Sequence, residues 1–584
     1  MSSEQHQATF RMPADLFAEL AAGGGSAQAV AFLARGERAR RLLLLRTLLD
    51  HVRALPTPLT PAAEAWRVLK EAAERAPGPV DRLLLAPATG AWIAHLLRRR
   101  HGTATGPPLW VEAGHLNALA IAASVCAGTD AVLRVALTDG GLFLPGLGLA
   151  RLRAAQQEPA VGLARTRAGE LTLTAPGHDG SPTSLTCRPA TVPLRGGPGA
   201  EAVSRDDRDG WTPLRTLTHR GPAGAVAIPL DDLGPYRDLD DPLPPARLTA
   251  AEATTWQRLF EEAAALLAVP GGTGPGRIDP AAIRAVVPFG RTGPAPSDPL
   301  TTLVSASSGD SYGGMVVARP AAALALAETL VHEFQHSKLA ALIHLFPLLD
   351  DDREERYYAP WRADPRHLTG LLHGAYAFTG VAGFWRDRLN AAQHPGQAGT
   401  AGYHFALRRT QSRMVVRTLL TSGRLTAQGH ALVSGLARTL DGWLREPVHA
   451  AALGRARTAA ALHRTEWRLR NVAAPAPSRR SAQGAGAGPA TEPVLRPRAD
   501  RTFWPDVRTL AFAVRPAVPR TPDEYLAAGD PATALVGYTD ALARDPAEPH
   551  SLAGWIVARA ALGRDRAARR MLARPELLQP SPTG

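Results

Sequence analysis

The sequence predicts an α+β protein that is predominantly helical, and three features of the chain indicate this. Helical spacing of apolar residues covers most of the 584 positions, including the run ARRLLLLRTLLDHVRAL and the segment around LVHEFQHSKL. Between about residues 133 and 230 the pattern changes to short apolar pieces separated by Gly, Pro and Asp, which is typical of a small antiparallel sheet. A small, polar, Pro/Gly-rich segment, residues 473–489, then separates the last helical pattern from the rest.

These changes of pattern divide the chain into five predicted regions. They are an N-terminal helical region (1–130), a β-rich region (131–250), an HExxH metal-binding helical domain (251–470), a flexible linker (471–500) and a tetratricopeptide-like helical tail (501–584). In the tail, the spacing of Gly529, Tyr538 and Trp555 resembles one tetratricopeptide hairpin. A stable array needs about three such repeats, so the tail is either a docking appendage or a pair of plain terminal helices.

The composition excludes several classes of protein. Apolar residues make up 45% of the chain and charged residues 20%, which is enough to form a core and excludes wholesale disorder. Two cysteines are too few for a disulfide framework or a cysteine-based zinc site. All but two of the 66 basic residues are arginine, and they are scattered without any nucleic-acid-binding motif, so the net charge of +13 does not predict a nucleic-acid partner.

Neither a secretory signal nor a membrane span is expected. The N-terminal residues lack a basic segment followed by an apolar core. The longest uncharged apolar run of the first half, residues 113–129, only reaches the lower length limit for a span and contains His115 and Asn117. We therefore expect a soluble, cytoplasmic protein that does not bind membranes.

The most informative motif is His332-Glu333-Phe334-Gln335-His336, which matches the H-E-x-x-H pattern. On an α-helix, residues four apart lie one turn apart on nearly the same face, so both imidazoles can reach one metal ion. Glu333 lies beside the first histidine, where it could accept a proton from a metal-bound water or contact the ion. The flanking leucines favour a buried metal-binding helix over the alternative, a surface helix with a His/Glu/His face.

A metal site needs a third protein ligand, and the sequence leaves this ligand open. His373 lies in GLLHGAYAF, where small residues such as Gly374 would permit close packing against the H-E-x-x-H helix. Glu355 follows His336 at a spacing known from zinc peptidases, but it lies in an acid-rich run that favours a solvated loop. His344 is two turns beyond His336, too far for the same ion, so we expect it to pack or to cap a helix.

A rival motif for serine hydrolysis occurs at residues 309–313. Gly309, Ser311 and Gly313 match the G-x-S-x-G nucleophile elbow, which requires a strand before it and a helix immediately after it. The following piece, MVVAR, is β-branched and ends at Pro320, so the sequence favours a hairpin turn here.

The H-E-x-x-H helix and its flanks resemble an actinobacterial HEXXH-motif family that is associated with the maturation of ribosomally synthesised peptides. The matching segments are MPADLFAELAAGGG, LDDLGPYRD, LVHEFQHSKL, RYYAPWRADPR, GLLHGAYAF and SGRLTAQGHALV, which together span the chain up to about residue 445. The resemblance implies an iron- and 2-oxoglutarate-dependent peptide β-hydroxylase in which His332 and His336 bind Fe(II). For the third ligand, which the resemblance does not specify, we favour His373 over Glu355 because of its place on a helix that can pack closely. The implied substrate is a ribosomal precursor peptide.

The distal carboxylate of 2-oxoglutarate would need a cationic anchor, for which the planar arginine fork is well suited. Arg362 and Arg409 lie within or near the resembling segments, and Tyr358 could add a hydroxyl donor. Two other functions stay open. One is a zinc metallopeptidase with Glu333 as general base, and the other is a non-catalytic peptide-binding scaffold whose C-terminal hairpin recognises the partner.

Overall fold

The structure is a computed structural model, and it describes most of the chain. The described residues are 11–152, 159–177, 180–190, 195–196, 209–221, 224–239, 241–268, 273–290, 304–350, 353–473, 494–496, 508–563 and 566–578. The predicted linker, apart from residues 471–473 and 494–496, lies outside these ranges.

The N-terminal part of the described chain is helical. Proline begins several of these helices, where its missing N–H costs nothing, and Gly128 ends the last of them in a left-handed conformation. The helices are α1 (Ala14–Ala21), α2 (Ala27–Val52), α3 (Ala62–Arg75), α4 (Pro77–Leu84), α5 (Pro87–Arg100), α6 (Leu109–Ala113) and α7 (His115–Ala127).

Three small sheets follow. Their strands are β1 (Ala131–Leu137), β2 (Gly141–Leu144), β3 (Gly148–Arg151), β4 (Ala160–Arg167), β5 (Glu170–Pro176), β6 (Pro182–Cys187), β7 (Arg195–Gly196), β8 (Trp211–Pro213), β9 (Arg215–Gly221) and β10 (Gly224–Leu230). The first sheet is antiparallel with the order β1-β4-β5-β6, and the second has the order β2-β3-β8. Burial alternates along β1 and β5, as expected for strands with one face on a core.

The third sheet is mixed and leads to the H-E-x-x-H helix. After α8 (Ala250–Leu267) come β11 (Ala285–Phe289), β12 (Ser305–Ala306) and β13 (Gly314–Ala318). The order is β12-β13-β11-β10-β7, with β9 also on β10, and β11 runs parallel to both β10 and β13. A loop of four residues connects β13 to α9 (Ala323–Leu345), the helix that carries the motif.

Long helices complete the described chain. Three of them follow α9 and pack around it or each other, namely α10 (Leu368–Asn390), α11 (Pro395–Thr421) and α12 (Ala427–Leu444). The remaining helices are α13 (Ala450–Asn471), α14 (Arg508–Ala511), α15 (Pro522–Ala528), α16 (Pro531–Arg544), α17 (Pro549–Leu562) and α18 (Arg566–Ala573).

Helix α2 connects the two largest hydrophobic cores. Its first half, including Phe32 and Leu33, packs into the core built around α8 to α12 and the third sheet. Its second half, including Leu45 and Leu48, packs into the core of α3 to α7 and the first two sheets. Between them, the fully buried Arg41 donates hydrogen bonds to the carbonyls of Leu84, Ala86 and Asp310. The two cores are therefore joined by one continuous helix and a buried cation.

The structure confirms a mixed α+β fold that is mostly helical. The G-x-S-x-G motif forms the turn between the antiparallel strands β12 and β13, which confirms the predicted hairpin. Within the described ranges, one helical stretch, Leu109–Ala127, has the length and apolar composition to cross a membrane, but most of it is buried inside the protein.

The C-terminal hairpin is formed by α16 and α17. Tyr538 of α16 packs against Gly554 of α17, where a Cβ atom would overlap the tyrosine ring. The same helices share a hydrophobic core with α11 and α13. Phe512, just after α14, and Leu526 of α15 are also part of this core. The hairpin is therefore packed onto the helical body, and the tetratricopeptide-like docking role remains a prediction.

Candidate functional site

The H-E-x-x-H motif lies in the middle of α9, which is buried on several sides. Gln335 donates a hydrogen bond to the carbonyl of Gly23 at 2.8 Å, and the Lys338 ammonium donates to the carbonyl of Gly24 at 2.6 Å. Burial lowers the pKa of Lys338 to about 7. The glycine turn between α1 and α2 thus holds the side of α9 that faces away from the histidines.

The two motif histidines face each other. The Nε2 atoms of His332 and His336 are 3.1 Å apart, and their rings are nearly perpendicular, with centroids 4.7 Å apart. Burial lowers the pKa of His336 to about 3, and burial together with the positive charge of Arg408 lowers the pKa of His332 to about 4. Both imidazoles are therefore neutral near pH 7, the state in which nitrogen lone pairs can bind a metal.

Glu333 is fixed from the strand side. Its Oε1 atom accepts a hydrogen bond from the Ser305 hydroxyl of β12 at 2.7 Å. Its Oε2 atom is buried and has no hydrogen-bond partner among the described side chains and backbone. A buried carboxylate oxygen without a partner is costly, so Glu333 retains one oxygen for a ligand or a proton.

His373 of α10 lies beside His336 but on the other edge of that ring. The Nδ1 atoms of His336 and His373 are 3.4 Å apart, and the two rings are tilted by 32°. Burial lowers the pKa of His373 to about 4. In this rotamer His373 approaches Nδ1 of His336, whereas His332 approaches its Nε2 atom, so the three nitrogens do not converge on one point.

The predicted close packing of α10 against α9 depends on a different glycine from the one expected. At Gly380 a Cβ atom would overlap the side chain of Gln335 on α9, whereas at Gly374 it would overlap the Trp361 ring. Gly374, next to His373, therefore makes room for the ring of Trp361. The close contact with α9 is made at Gly380, two turns along α10 from His373.

Helix α11 supplies a cation that the sequence analysis did not identify. The Arg408 guanidinium lies over the Phe378 ring at 4.6 Å from its centroid, and Phe378 makes an edge contact with His332 at 4.8 Å. Nη1 of Arg408 donates to Oε1 of Gln411 at 3.0 Å, while its Nε atom is buried without a partner in the described part of the chain. Arg408 is 8% exposed, so its charge acts in a desolvated environment.

Two further titratable groups surround Arg408. His404, one turn earlier on α11, stacks on Trp385 with ring centroids 4.3 Å apart, and burial lowers its pKa to about 3. Glu328, one turn before His332 on α9, has its pKa raised by burial, an effect that the Arg408 charge opposes.

We call His332, Glu333, His336, Phe378 and Arg408 the α9 site.

The predicted 2-oxoglutarate contacts lie in other environments. Arg362 donates to Asp364 at 2.8 Å, and its side chain is 44% exposed. Arg409 points to the end of α12, where it donates to the carbonyls of Trp443 and Glu446. The Tyr358 hydroxyl lies 2.8 Å from Nδ1 of His463 on α13. These three residues have partners of their own and are not brought to the histidine pair by the contacts described.

The other candidates from the sequence are also located. Glu355 lies in an irregular stretch after α9 and is half-buried. His344 pairs with Glu37 of α2 through a 2.5 Å contact between Nδ1 and Oε1, so it packs as expected. Within the described residues, no group of three or more His, Cys, Asp or Glu side chains is already arranged to hold a metal ion.

Comparison with known proteins adds no relative. Neither a protein-family model nor any curated protein matches the chain. The functional argument therefore depends on the residues and their geometry.

Proposed function

We propose that the protein is an Fe(II)- and 2-oxoglutarate-dependent peptide β-hydroxylase acting on a ribosomally synthesised precursor peptide. The observation that carries this proposal is the 3.1 Å separation of the His332 and His336 Nε2 atoms on a buried helix. Two imidazole nitrogens bound to one metal at about 2.0–2.1 Å are separated by about 2.9–3.4 Å when the angle at the metal is near 90–110°. The pair therefore fits a shared ion.

The donor atoms also suit iron, because the site offers two neutral imidazoles and an adjacent carboxylate. His332 and His336 would hold the ion, and Fe(II) oxygenases combine two histidines with one further protein ligand. His373 becomes the third ligand if its ring moves away from Nδ1 of His336 and toward the point between the Nε2 atoms of His332 and His336. Glu328, on the same helix one turn before His332, is the second candidate because its carboxyl lies in a desolvated environment near the histidine pair and within reach of the Arg408 charge.

Arg408 is the best-placed anchor for the 2-oxoglutarate carboxylate. It is buried, it lies next to His332 through Phe378, and its Nε atom has no partner in the described chain. A carboxylate that reached Arg408 would form charge-assisted hydrogen bonds and neutralise a desolvated cation. We therefore propose Arg408 in the role that the sequence analysis gave to Arg362 or Arg409.

Bound Fe(II) with 2-oxoglutarate and O2 would supply the oxidant that removes hydrogen from the β-carbon of the substrate residue. The protein's own contribution is to position and shield these groups. Phe378 and Trp361, with ring centroids 4.7 Å apart, form an apolar wall beside His332 that excludes water. Ser305 fixes Glu333 next to the first histidine, where its second oxygen can accept or return a proton.

A zinc metallopeptidase is the second candidate, and Glu333 is the observation that favours it. Its partner-free oxygen beside a histidine pair is the arrangement that a general base for a metal-bound water requires. The buried Arg408 argues for the oxygenase, because an enzyme that binds a dicarboxylate needs such a cation and water activation does not.

The test begins without a peptide. Full-length protein is titrated anaerobically with Fe(II) and then with 2-oxoglutarate, and binding is followed by calorimetry and by the visible charge-transfer absorption. We expect both to bind, and we expect O2 to convert 2-oxoglutarate to succinate. With a ribosomal precursor peptide as substrate, the peptide product should gain one oxygen atom. Peptide fragments formed with Zn(II) alone would replace this proposal by the peptidase.

A third outcome would support the scaffold. If the peptide binds, no product forms with either metal, and His332→Ala leaves the peptide affinity unchanged, the α9 site is not used for chemistry. Binding would then be assigned to another surface, with the α16–α17 hairpin as the first to be tested.

A further inference from the structure

A second buried site lies in the other large core, away from the α9 site. A cavity of about 350 Å³ that is partly open to solvent is lined by α6 and α7, by the turn between β1 and β2, and by the loop that follows β10. That loop begins with LDDLGPYRD, the segment singled out in the sequence for which the α9 site gives no role. We call this space the α7 cavity. Its volume lies within the usual range of small-molecule and side-chain pockets.

One buried polar group in the wall of the α7 cavity is unsatisfied. His115, the first residue of α7, is 7% exposed, and its Nε2 atom is buried with no hydrogen-bond partner among the described residues. Its ring lies between Trp92 and Tyr236, at centroid distances of 5.0 and 5.1 Å. Burial lowers the pKa of His115 to about 3, so the imidazole is neutral. A ligand that reached this nitrogen, with a small shift of the rings that cover it, would form a hydrogen bond and offset the cost of leaving the nitrogen unpaired.

Three charged side chains line the cavity: the exposed Asp139 and Arg151, which carry opposite charges, and Glu112 at its buried base, which is neutralised by partners behind it. Oε2 of Glu112 accepts from Arg99 at 2.9 Å, and its Oε1 atom lies 3.1 Å from Nε2 of His95. The Glu112 pKa is raised because burial outweighs the attraction of these two partners. The base of the cavity therefore presents no net charge, and an ionised group bound at the base, beside His115, would be desolvated without a partner of opposite charge.

Apolar and aromatic groups supply most of the remaining wall. Leu142 and Phe143 of β2 and Tyr236 of the loop face the same space. At the mouth, Leu243 is 37% exposed in a proline-rich stretch, so the cavity communicates with solvent. An aromatic ring can enter between such side chains and contact Tyr236 and His115 edge to face.

We propose that the α7 cavity binds a neutral aromatic group that carries one hydrogen-bonding atom, such as a phenol or an indole. The volume, the uncharged base, the aromatic wall and the unsatisfied His115 nitrogen together select this chemistry. The group could arrive as a free small molecule or as a tyrosine or tryptophan side chain of a peptide. The proposal does not depend on the proposed function of the α9 site.

The first experiment measures binding of p-cresol, toluene and benzoate to the full-length protein by ligand-observed NMR and calorimetry. We expect p-cresol to bind with a Kd of about 1 mM or tighter, toluene to bind more weakly and benzoate not to bind. The variant His115→Phe should weaken p-cresol binding by about five- to tenfold and leave toluene within about twofold, because it removes only the hydrogen bond.

A second variant covers the case in which His115→Phe does not fold. Leu243→Trp at the exposed mouth should block both p-cresol and toluene, whereas Leu562→Trp, an exposed leucine of α17, should block neither. If neither aromatic probe binds, or if Leu243→Trp leaves binding unchanged, the α7 cavity is not the site. If benzoate binds best, the neutral chemistry is wrong.

The source of the aromatic group is decided with an acetylated and amidated pentapeptide, Ala-Ala-Tyr-Ala-Ala. Binding at least about tenfold tighter than p-cresol, and lost in Leu243→Trp, identifies a peptide as the natural occupant. Peptide binding weaker than that of p-cresol identifies a free small molecule, because the flanking backbone then obstructs entry. The uncharged probe 3-methylindole extends the comparison from phenol to indole.

Discussion

The α9 site and the α7 cavity bury neutral histidines in different ways. At the α9 site two imidazoles turn their Nε2 atoms toward each other, with a buried guanidinium next to them. In the α7 cavity the base carries an already compensated Glu112, and Nε2 of His115 has no hydrogen-bond partner within the described part of the chain. Converging lone pairs suit a cation, whereas one isolated nitrogen in an aromatic wall suits a neutral hydrogen-bonding group.

The largest difference between the two sites should appear in metal affinity when a proposed metal ligand is removed. We expect His336→Ala to weaken Fe(II) binding at least about 100-fold, because a direct ligand is worth more than the 10- to 100-fold typical of outer groups. Calorimetry with Fe(II) and Co(II) measures this loss. The exposed His430→Ala is the matched control and should bind metal like the wild type.

His373→Ala in the same assay separates two roles. A loss as large as that of His336→Ala identifies a direct ligand, and a loss of about 10- to 100-fold identifies a residue that orients His336. Metal binding that survives both His332→Ala and His336→Ala would contradict the α9 site as a metal centre.

The cation next to the histidines is the second point of comparison. We expect Arg408→Ala to weaken 2-oxoglutarate binding to the Fe(II)-loaded protein by about 10- to 100-fold, because a hydrogen bond to a charged group is worth about 1.5–3 kcal/mol. Fe(II) affinity should change much less. Arg408→Lys should recover part of the affinity, since it restores the charge without the fork.

The control for this prediction lies on the same helix. Arg413 of α11 pairs with Asp441 of α12 at 2.6 Å, so Arg413→Ala removes an arginine without touching the α9 site. Equal losses in the Arg408 and Arg413 variants would show a general effect on α11 and would remove Arg408 from the anchor role.

The pH dependence of the free energy of unfolding tests whether His115 is neutral in the folded protein. Its pKa rises from about 3 in the fold to 6.5 when unfolded, so protons bind the unfolded chain preferentially and stability falls as pH falls below 6.5. Between pH 7 and 5 this histidine should remove about 2 kcal/mol of unfolding free energy. His115→Phe should therefore lose about 2 kcal/mol less than the wild type over that interval.

Denaturant unfolding at pH 7 and pH 5 measures the effect. His115→Asn is the companion variant, because it also lacks a titratable group in this pH range and should show the same reduced pH dependence. If only one of the two variants differs from the wild type, proton binding by His115 is not the cause.

The close contact between α9 and α10 provides a test of packing alone, which involves neither a ligand nor a titrating group. Gly380→Ala introduces a Cβ atom that overlaps Gln335, and we expect it to destabilise the protein by about 1–3 kcal/mol in denaturant unfolding. The control is Gly442→Ala on α12, where a Cβ atom would meet nothing within 4 Å among the described residues. That variant should be stabilised by about 0.4–1 kcal/mol, because alanine restricts the unfolded chain. A neutral Gly380→Ala would mean that the two helices can separate at no cost.

Much of the fold could be anticipated from local patterns. The apolar spacing around LVHEFQHSKL predicts α9, and the β-branched run after Ser311 predicts the hairpin that the structure has there. The histidine pair also follows from helix geometry, because residues four apart share a face. Such features depend on neighbours within a few residues, so the sequence contains the information needed to predict them.

The roles of Arg408 and Arg409 show where such prediction ends. The two residues are adjacent on α11, and successive helical positions point about 100° apart, so only one of them can face α9. From the sequence we expect Arg409, although no local pattern distinguishes the two positions. In the fold, Arg408 lies over Phe378, while Arg409 binds the carbonyls at the end of α12. The packing of three helices made this choice.

The sequence by itself determined the helical character, the β region and the placement of two histidines on one face of a helix, because these depend on local spacing. Only the tertiary structure decided which arginine joins that pair, which nitrogen of His336 faces His373, and that His115 meets Tyr236, 121 positions later, in one cavity wall. Those outcomes depend on contacts between distant segments, and side-chain direction there is set by packing that no local pattern contains.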